Sequence, residues 1–176
     1  RKGLSTIILE DHPERGTPVH GGECISEIAC QNLELTLPEE VISKRVHGIR
    51  VIFPDGTEKR LTEEGYVLEK HLFERWITDE AVSAGATLNL GHKLLSMERA
   101  EGEPFSGWVC DGKGDQFPIM AKIVIDASGV AAVCSRLVKP DGEAPLNQKG
   151  KVVAGMQYEL LEVPTDGYLD FYIWPS

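Results

Sequence analysis

The sequence predicts an α/β fold with some α+β character. Strands of a parallel sheet alternate with helices, and a β-meander is inserted between them. Residues 5–9 form a continuous apolar and β-branched run, which is typical of a strand buried on both faces. Residues 71–84 carry apolar side chains on one side, as an amphipathic helix does, and Gly85 would end that helix. Residues 87–125 combine short strand patterns with turn signals, which is typical of a β-meander leading into the apolar run 123–125.

The remaining elements follow from local patterns. Residues 12–25 are rich in proline and glycine and are predicted to form a loop. Residues 37–42 carry a proline near their start and indicate a helical turn. Residues 49–61 alternate around a Pro-Asp-Gly-Thr turn, which predicts a β-hairpin. Residues 152–160 and 168–174 are two further predicted strands.

The composition describes an acidic chain of ordinary globular character. Its 176 residues carry 18 basic and 28 acidic side chains, for a formal net charge of −10. A nucleic-acid partner is not expected, because such a surface needs clustered Lys and Arg. The sequence has no apolar run of about 18 residues, so no membrane-spanning helix is expected. Because the chain starts without Met and stops directly after a predicted strand, we expect the interior of a longer protein.

The cysteines and histidines give no metal-binding pattern. Cys24, Cys30, Cys110 and Cys134 are scattered without a C-x-x-C pair, so we expect reduced thiols in a cytoplasmic protein. The five histidines lack the spacing of a zinc site. No metal site is therefore predicted.

Glu10 is the first candidate for a binding residue. An acidic residue at the end of a buried strand accepts hydrogen bonds from the ribose of a dinucleotide in Rossmann-like folds. A simple polar exit from the strand would give the same pattern. The G-x-G-x-x-G turn that should precede such a residue by about 20 positions is absent from the sequence. Any such fingerprint would lie upstream of Arg1.

Residues 126–129, with the sequence Asp-Ala-Ser-Gly, form the second candidate segment. They follow the apolar run 123–125 and place little side-chain bulk in the way of a ligand. An ordinary exit from a strand into a loop explains the same residues.

The third candidate segment surrounds a glycine pair. Gly21 and Gly22, followed by Glu23 and Cys24, permit close backbone approach to a ligand. Cys24 and the nearby His20 are chemically able to form a nucleophile and base, but closeness in sequence shows neither their contact nor an oxyanion site. Packing is the simpler interpretation of Cys24.

Taken in order, four segments resemble the geranylgeranyl reductase family, a group of FAD-dependent oxidoreductases built like p-hydroxybenzoate hydroxylase. They are the strand ending in Glu10 with the loop after it, residues 21–26, residues 66–86 and residues 124–129, and the resemblance covers nearly the whole chain. It implies a Rossmann-like FAD-binding domain with the β-meander inserted and part of a β-sheet domain over the substrate cavity. The implied reaction saturates isoprenoid double bonds of lipids or pigments with reduced flavin.

The resemblance also implies a set of cofactor-binding residues. This set consists of Glu10, Gly21, Gly22, Glu23, Cys24, Lys70, Asp126, Ala127, Ser128 and Gly129. Glu10 would bind the adenosine ribose, residues 21–24 would line the flavin end, and residues 126–129 would form a second turn against the cofactor. Lys70 stands where the family usually has Arg, and its point charge would weaken a bidentate contact.

The family further implies domains and partners. Residues 1–36 and 66–140 would belong to the FAD-binding domain, and residues 37–65 and 141–176 to the substrate domain. The substrate would be an apolar isoprenoid compound, and the electron donor would be NAD(P)H or ferredoxin. The expected location is the cytoplasm, with or without peripheral contact at a membrane.

Several alternatives stay open at the level of sequence. Hydride transfer to an isolated double bond needs a proton, for which Cys24 and His20 are candidate donors. A monooxygenase, a halogenase or a quinone-linked dehydrogenase would share the fold. From a different class, residues 1–176 would be a non-catalytic fragment that no longer binds FAD, because the glycine-rich turn is absent.

Overall fold

The computed structural model describes residues 3–19, 21, 23–138, 155–156, 158 and 163–174. Two compact units make up the chain, the first from residues 1–15 and 81–156 and the second from residues 16–80 and 157–176. In chain order the elements are β1 (Ile7–Glu10), β2 (Cys24–Ser26), α1 (Glu27–Asn32), β3 (Ile42–Ile52), β4 (Glu58–Leu68), α2 (Lys70–Ser83), β5 (Thr87–Leu90), β6 (Lys93–Glu98), β7 (Phe105–Cys110), β8 (Gln116–Ala121), α3 (Val133–Leu137) and β9 (Tyr168–Tyr172).

Two sheets form the first unit. Strands β1 and β5 pair in parallel, with Ile7 opposite Thr87 and Glu10 opposite Leu90. Strands β6, β7 and β8 form an antiparallel meander in that order, as predicted. Val109 of β7 is fully buried and anchors the meander. The mixed α/β character that the sequence predicts is therefore present in this unit.

Residues 123–125 correct the sequence prediction, because they do not form a buried strand. The backbone there has no strand assignment, and Ile123 and Ile125 are 75% and 84% exposed. A parallel strand exists only where a neighbour supplies its hydrogen bonds. Within the described residues, β1 and β5 form a sheet of two strands that does not include this segment. Burial of β1 is also less than predicted, since Ile7 is 49% exposed.

The second unit is built on one four-stranded sheet with the order β2-β4-β3-β9. The predicted hairpin is confirmed and is longer than expected, since β3 and β4 have 11 residues each. Its turn is closed by Asp55, whose Oδ1 accepts the N–H of Thr57 at 2.9 Å. The predicted helical turn is a 3-10 turn at Glu39–Val41. Val41, Val46 and Leu68 are buried and form the core of this unit.

Arg50 attaches the last strand to the sheet. Strand β9 pairs in parallel with β3, and Arg50 lies opposite Asp170. The guanidinium donates from Nε and Nη2 to both Asp170 oxygens at 2.7 Å and from Nη1 to Asp166 at 2.6 Å. Such fork geometry is the strong form of an ion pair. The Arg50 side chain is only 16% exposed, so it is screened less than an ordinary surface pair.

Two short elements were not predicted. Residues 12–25 were expected to be loop throughout, but Cys24 and Ile25 belong to β2 and pair with Val67 and Tyr66. Helix α1 follows at once because Ser26 caps it, its Oγ accepting the N–H of Ala29 at 3.1 Å. A three-residue strand and a six-residue helix are too short to show a period in the sequence. The predicted helix at 71–84 is confirmed as α2.

The predicted domain boundaries and the last two predicted strands have different outcomes. The assignment of residues 1–36 and 66–140 to one domain and of residues 37–65 and 141–176 to another stays a prediction. The strand predicted at 168–174 is confirmed as β9. The strand predicted at 152–160 lies largely outside the described residues.

Gly48 provides a test of the hairpin. It sits at the irregular point of the β3–β4 register with φ +153°, and an added Cβ would lie 2.1 Å from the Leu61 carbonyl oxygen. We expect Gly48→Ala to lower the free energy of unfolding by about 3 kcal/mol, because the two strands must separate locally. Urea unfolding monitored by circular dichroism measures this change.

The matched control is Gly56→Ala in the hairpin turn. Gly56 has φ +82° but nothing within 4 Å of an added Cβ, so only backbone strain of about 1 kcal/mol is expected. Equal losses in the two variants would contradict the steric argument.

Candidate functional site

Glu10 occupies the carboxyl end of β1, as the sequence predicts. Its Oε1 accepts two hydrogen bonds from His12, one from the backbone N–H at 2.9 Å and one involving ring Nδ1 at 2.7 Å. Its carbonyl oxygen accepts the N–H of His92 at 2.9 Å, which fixes the backbone against the turn after β5. No hydrogen bond from the described residues reaches Oε2, and the side chain is 39% exposed. One carboxylate oxygen is thus held by His12, and the other accepts no hydrogen bond from the described residues.

His12 is coupled electrostatically to its acidic neighbours. The hydrogen bond to Glu10 raises the pKa of His12 above its ordinary value of 6.5, and the Asp11 carboxylate 3.3 Å away adds to this. Glu10, Asp11 and His12 also form a group whose ligand-type atoms lie within 4.8 Å of one another. All three side chains are well exposed, so the group is a solvated acid and histidine cluster.

The Asp126 carboxylate accepts hydrogen bonds from the residues that follow it in the chain. Its Oδ1 accepts the N–H of Ser128 at 3.1 Å and the Ser128 hydroxyl at 2.5 Å. Its Oδ2 accepts the N–H groups of Cys134 and Ser135 at 2.9 and 3.3 Å. These bonds, the Ser128 hydroxyl first, lower the pKa of Asp126. Asp126 therefore caps α3 from outside the helix.

Ser128 adds a third N–H acceptor to this cap, and the next residue, Gly129, has free space beside its backbone. Its Oγ accepts the N–H of Val133 at 2.7 Å. Gly129 has φ +60° and nothing within 4 Å of the position that a Cβ would occupy. Residues 127 to 129 are exposed, so a ligand can approach the backbone there.

In the second unit, Cys24 opens strand β2 and pairs with Val67 of β4. The preceding Glu23 carbonyl accepts the N–H of Leu68 at 2.7 Å, which extends the pairing. Loss of solvation around the thiol, and next the Glu23 carboxylate, raise the pKa of Cys24. The raised pKa disfavours the thiolate, which is the nucleophilic form of cysteine.

Lys70 begins α2, and its ammonium lies 2.5 Å from Glu74 Oε1, one helical turn further along. The side chain is 19% exposed. Gly21 is exposed, whereas Gly22 and His20 lie outside the described residues.

Each unit contributes its own part of the predicted set. Glu10 and residues 126–129 belong to the first unit, and Gly21, Glu23, Cys24 and Lys70 belong to the second. Their cofactor contacts stay predictions. Sequence reasoning missed His12, because its hydrogen bonds to Glu10 depend on the turn that follows β1.

Comparison with known proteins identifies the relatives of this chain. No protein-family model matches it. A digeranylgeranylglycerophospholipid reductase of Methanosphaera stadtmanae is 28% identical over 98% of this chain and 45% of the relative. The corresponding reductase of Picrophilus torridus is 29% identical with the same coverage. A solved geranylgeranyl bacteriochlorophyll reductase-like protein from Thermoplasma acidophilum has 25% identity and a TM-score of 0.79, over 97% of this chain and 44% of that protein.

The predicted resemblance to the geranylgeranyl reductase family is confirmed. The predicted fold class is confirmed as well, since a flavin-dependent brominase of 19% identity and TM-score 0.63 shares the fold. The chain spans less than half the length of the geranylgeranyl reductase relatives that it matches. Among the described helices, none has the length and apolar character that crossing a bilayer requires.

The Asp126 cap generates a stability prediction. We expect Asp126→Ala to lower the unfolding free energy by about 1 kcal/mol, the usual cost of losing a helix cap. Because the pKa of Asp126 is lowered, its contribution is present above the ordinary carboxyl value of 3.8 and is lost as pH falls through the lower folded value. Hydrogen exchange of the Cys134 and Ser135 amides as a function of pH measures it.

Glu101→Ala is the control, since Glu101 is an exposed acidic residue in a turn. It should leave both amides protected. Unchanged protection in Asp126→Ala would refute the capping role.

Proposed function

We propose that this chain is the FAD-binding and substrate-facing part of a reductase that saturates isoprenoid double bonds of a lipid. The observation that carries the proposal is the similarity to reductases named for digeranylgeranylglycerophospholipid, which extends over 98% of the chain. Two flavin-dependent halogenases share the fold at lower identity, and that likeness supports the architecture alone. The reductase is therefore favoured over the other flavoprotein reactions.

The residues of the first unit fit FAD at two points. The Oε2 of Glu10, which accepts no hydrogen bond from the described residues, would accept hydrogen bonds from the adenosine ribose hydroxyls. Gly129, with open space on its Cβ side, allows the cofactor to approach the backbone. We propose that Asp126 supports the loop beside the cofactor and does not itself bind the cofactor, because N–H groups that follow it occupy both of its carboxylate oxygens.

The chemistry divides between cofactor and protein. Reduced FAD supplies a hydride to one carbon of the double bond, and a proton must reach the other carbon. Cys24 is the described candidate for that proton, because a thiol is protonated at neutral pH; its raised pKa makes it a weaker acid than an ordinary cysteine. In the first unit, Glu10 would hold the cofactor by its ribose. In the second unit, the Lys70 ammonium is paired with Glu74 at the start of α2.

The sheet of the second unit offers an apolar face to the substrate. By strand pairing, Ile49 lies between Leu61 and Leu169, and Val51 pairs with Phe171. Leu61 and Phe171 are 63% and 54% exposed. Lys59 lies opposite Val51 on the same face, while Ile49, Val51 and Leu169 are half-buried. The exposed apolar side chains of this face suit an isoprenoid chain better than a polar substrate. We assign this face to the lipid substrate, and NAD(P)H or ferredoxin to the role of electron donor.

The decisive assay uses the full-length natural protein with its FAD reduced under anaerobic conditions. With a digeranylgeranylglycerophospholipid as substrate, we expect mass spectrometry to show two added hydrogens for each reduced double bond and no added oxygen. Products that contain oxygen or halogen, or turnover that depends on O2, would overturn the reductase in favour of a monooxygenase or halogenase. Failure to bind FAD at all would favour a non-catalytic role.

Cys24 can be tested in the same assay. If its thiol delivers the proton, Cys24→Ala should lower kcat by about 100-fold or more with little change in KM, since general acids contribute about that much. Cys110→Ala is the control, because that thiol lies in β7 of the other unit. Full activity of Cys24→Ala would exclude Cys24 as the donor.

A further inference from the structure

We propose that His12 is a positioning residue for Glu10, and that it makes the affinity for the cofactor depend on pH. The inference rests on the proposed binding of the FAD ribose by Glu10 and extends it to a residue outside the predicted binding set. His12 itself would not touch the cofactor.

The geometry separates the two carboxylate oxygens of Glu10. The backbone N–H and the ring Nδ1 of His12 both reach the same oxygen, Oε1, at 2.9 and 2.7 Å. Two bonds to one oxygen fix the rotation of the carboxylate, which a single bond would not do. Oε2 is then presented in one orientation. A binding group held in place before the ligand arrives loses less conformational freedom on binding.

The ring bond depends on the protonation state of His12. Nδ1 must carry a hydrogen to donate to a carboxylate. The imidazolium always carries it, whereas the neutral ring divides between two tautomers, one of which presents a lone pair to Oε1. The bond is therefore strongest when His12 is protonated. Because Glu10 and Asp11 raise the pKa of His12, this state extends above the ordinary value of 6.5.

Charged and titratable groups lie near His12 on its own segment after β1 and on the turn after β5. On its own segment, the Glu10 and Asp11 carboxylates face the ring. On the turn after β5, Gly91 donates its N–H to the His12 carbonyl, and His92 follows it. The His92 ring contacts the Leu90 carbonyl through Nδ1 at 2.6 Å. His92 is thus the other group whose titration must be separated from that of His12.

The test measures the affinity of the full-length natural apoprotein for FAD by quenching of flavin fluorescence. For the wild type we expect the Kd to rise about 3-fold between about pH 6 and about pH 8.5, as the imidazolium is lost. His12→Ala should raise the Kd at the lower pH about 5-fold, which corresponds to the net contribution of one ordinary hydrogen bond. His12→Asn, whose amide donates from nearly the same place as Nδ1, should keep the low-pH affinity and lose the pH dependence.

Two further measurements distinguish positioning from a purely structural role. At a pH where His12 is neutral, thermal unfolding of His12→Ala should match that of the wild type, since His12 is 49% exposed and its raised pKa adds stability only when the ring is protonated. In protein labelled with 13C-histidine, NMR should show the pKa of His12 above its ordinary value in the wild type and lower in Glu10→Gln than in the wild type, with the Asp11 carboxylate still present. The control His92→Asn should retain the wild-type affinity at both pH values.

The outcomes separate this proposal from the proposed function. FAD binding by the wild type that is independent of pH, or unchanged in His12→Ala, would overturn the positioning role and leave the flavoprotein intact. A His12→Asn variant as weak as His12→Ala would also overturn it. A wild-type protein that does not bind FAD would overturn both.

Discussion

Backbone N–H groups that have no partner in a ladder are the constraint on which much of this structure depends. They occur where strands end and helices begin, and each costs free energy unless an acceptor is supplied. Here the acceptors are mostly carboxylates. Asp55 closes the β3–β4 turn, Asp111 accepts from Lys113 and Asp115, and Asp126 caps α3. The excess of acidic residues in the sequence is thus partly structural.

The same constraint explains which parts of the site are free for a ligand. An oxygen that already accepts backbone N–H groups is a poor binding group, which describes both oxygens of Asp126. Glu10 is only half engaged, because Oε1 accepts from His12 and Oε2 accepts no hydrogen bond from the described residues. The proposed site therefore consists of acceptor oxygens that make no hydrogen bond within the described residues. It also includes glycine backbone with free space beside it, such as that of Gly129.

The sequence predicts long and periodic elements well and short or paired elements poorly. Helix α2 and the β3–β4 hairpin carry their own signals, because their residues repeat with the period of the element. The strand expected at 123–125 needed a neighbour to supply hydrogen bonds, and its composition alone did not provide one. Of the site, the position of Glu10 at the end of a strand was predictable. The hold of His12 on one of its oxygens was not, because it depends on the turn that follows β1.

The pairing of β9 with β3 has a consequence for how the chain folds. Arg50 and Asp170 meet across 120 positions of sequence, whereas β3 and β4 are joined by a tight turn. Closing so long a loop is entropically costly until other contacts exist, and contacts between distant segments slow folding. The hairpin is expected to form early and β9 to dock late. Until it docks, the outer edge of β3 exposes unpaired hydrogen-bonding groups to other chains. A chain in which β9 has not yet docked is therefore expected to aggregate more readily than the folded protein.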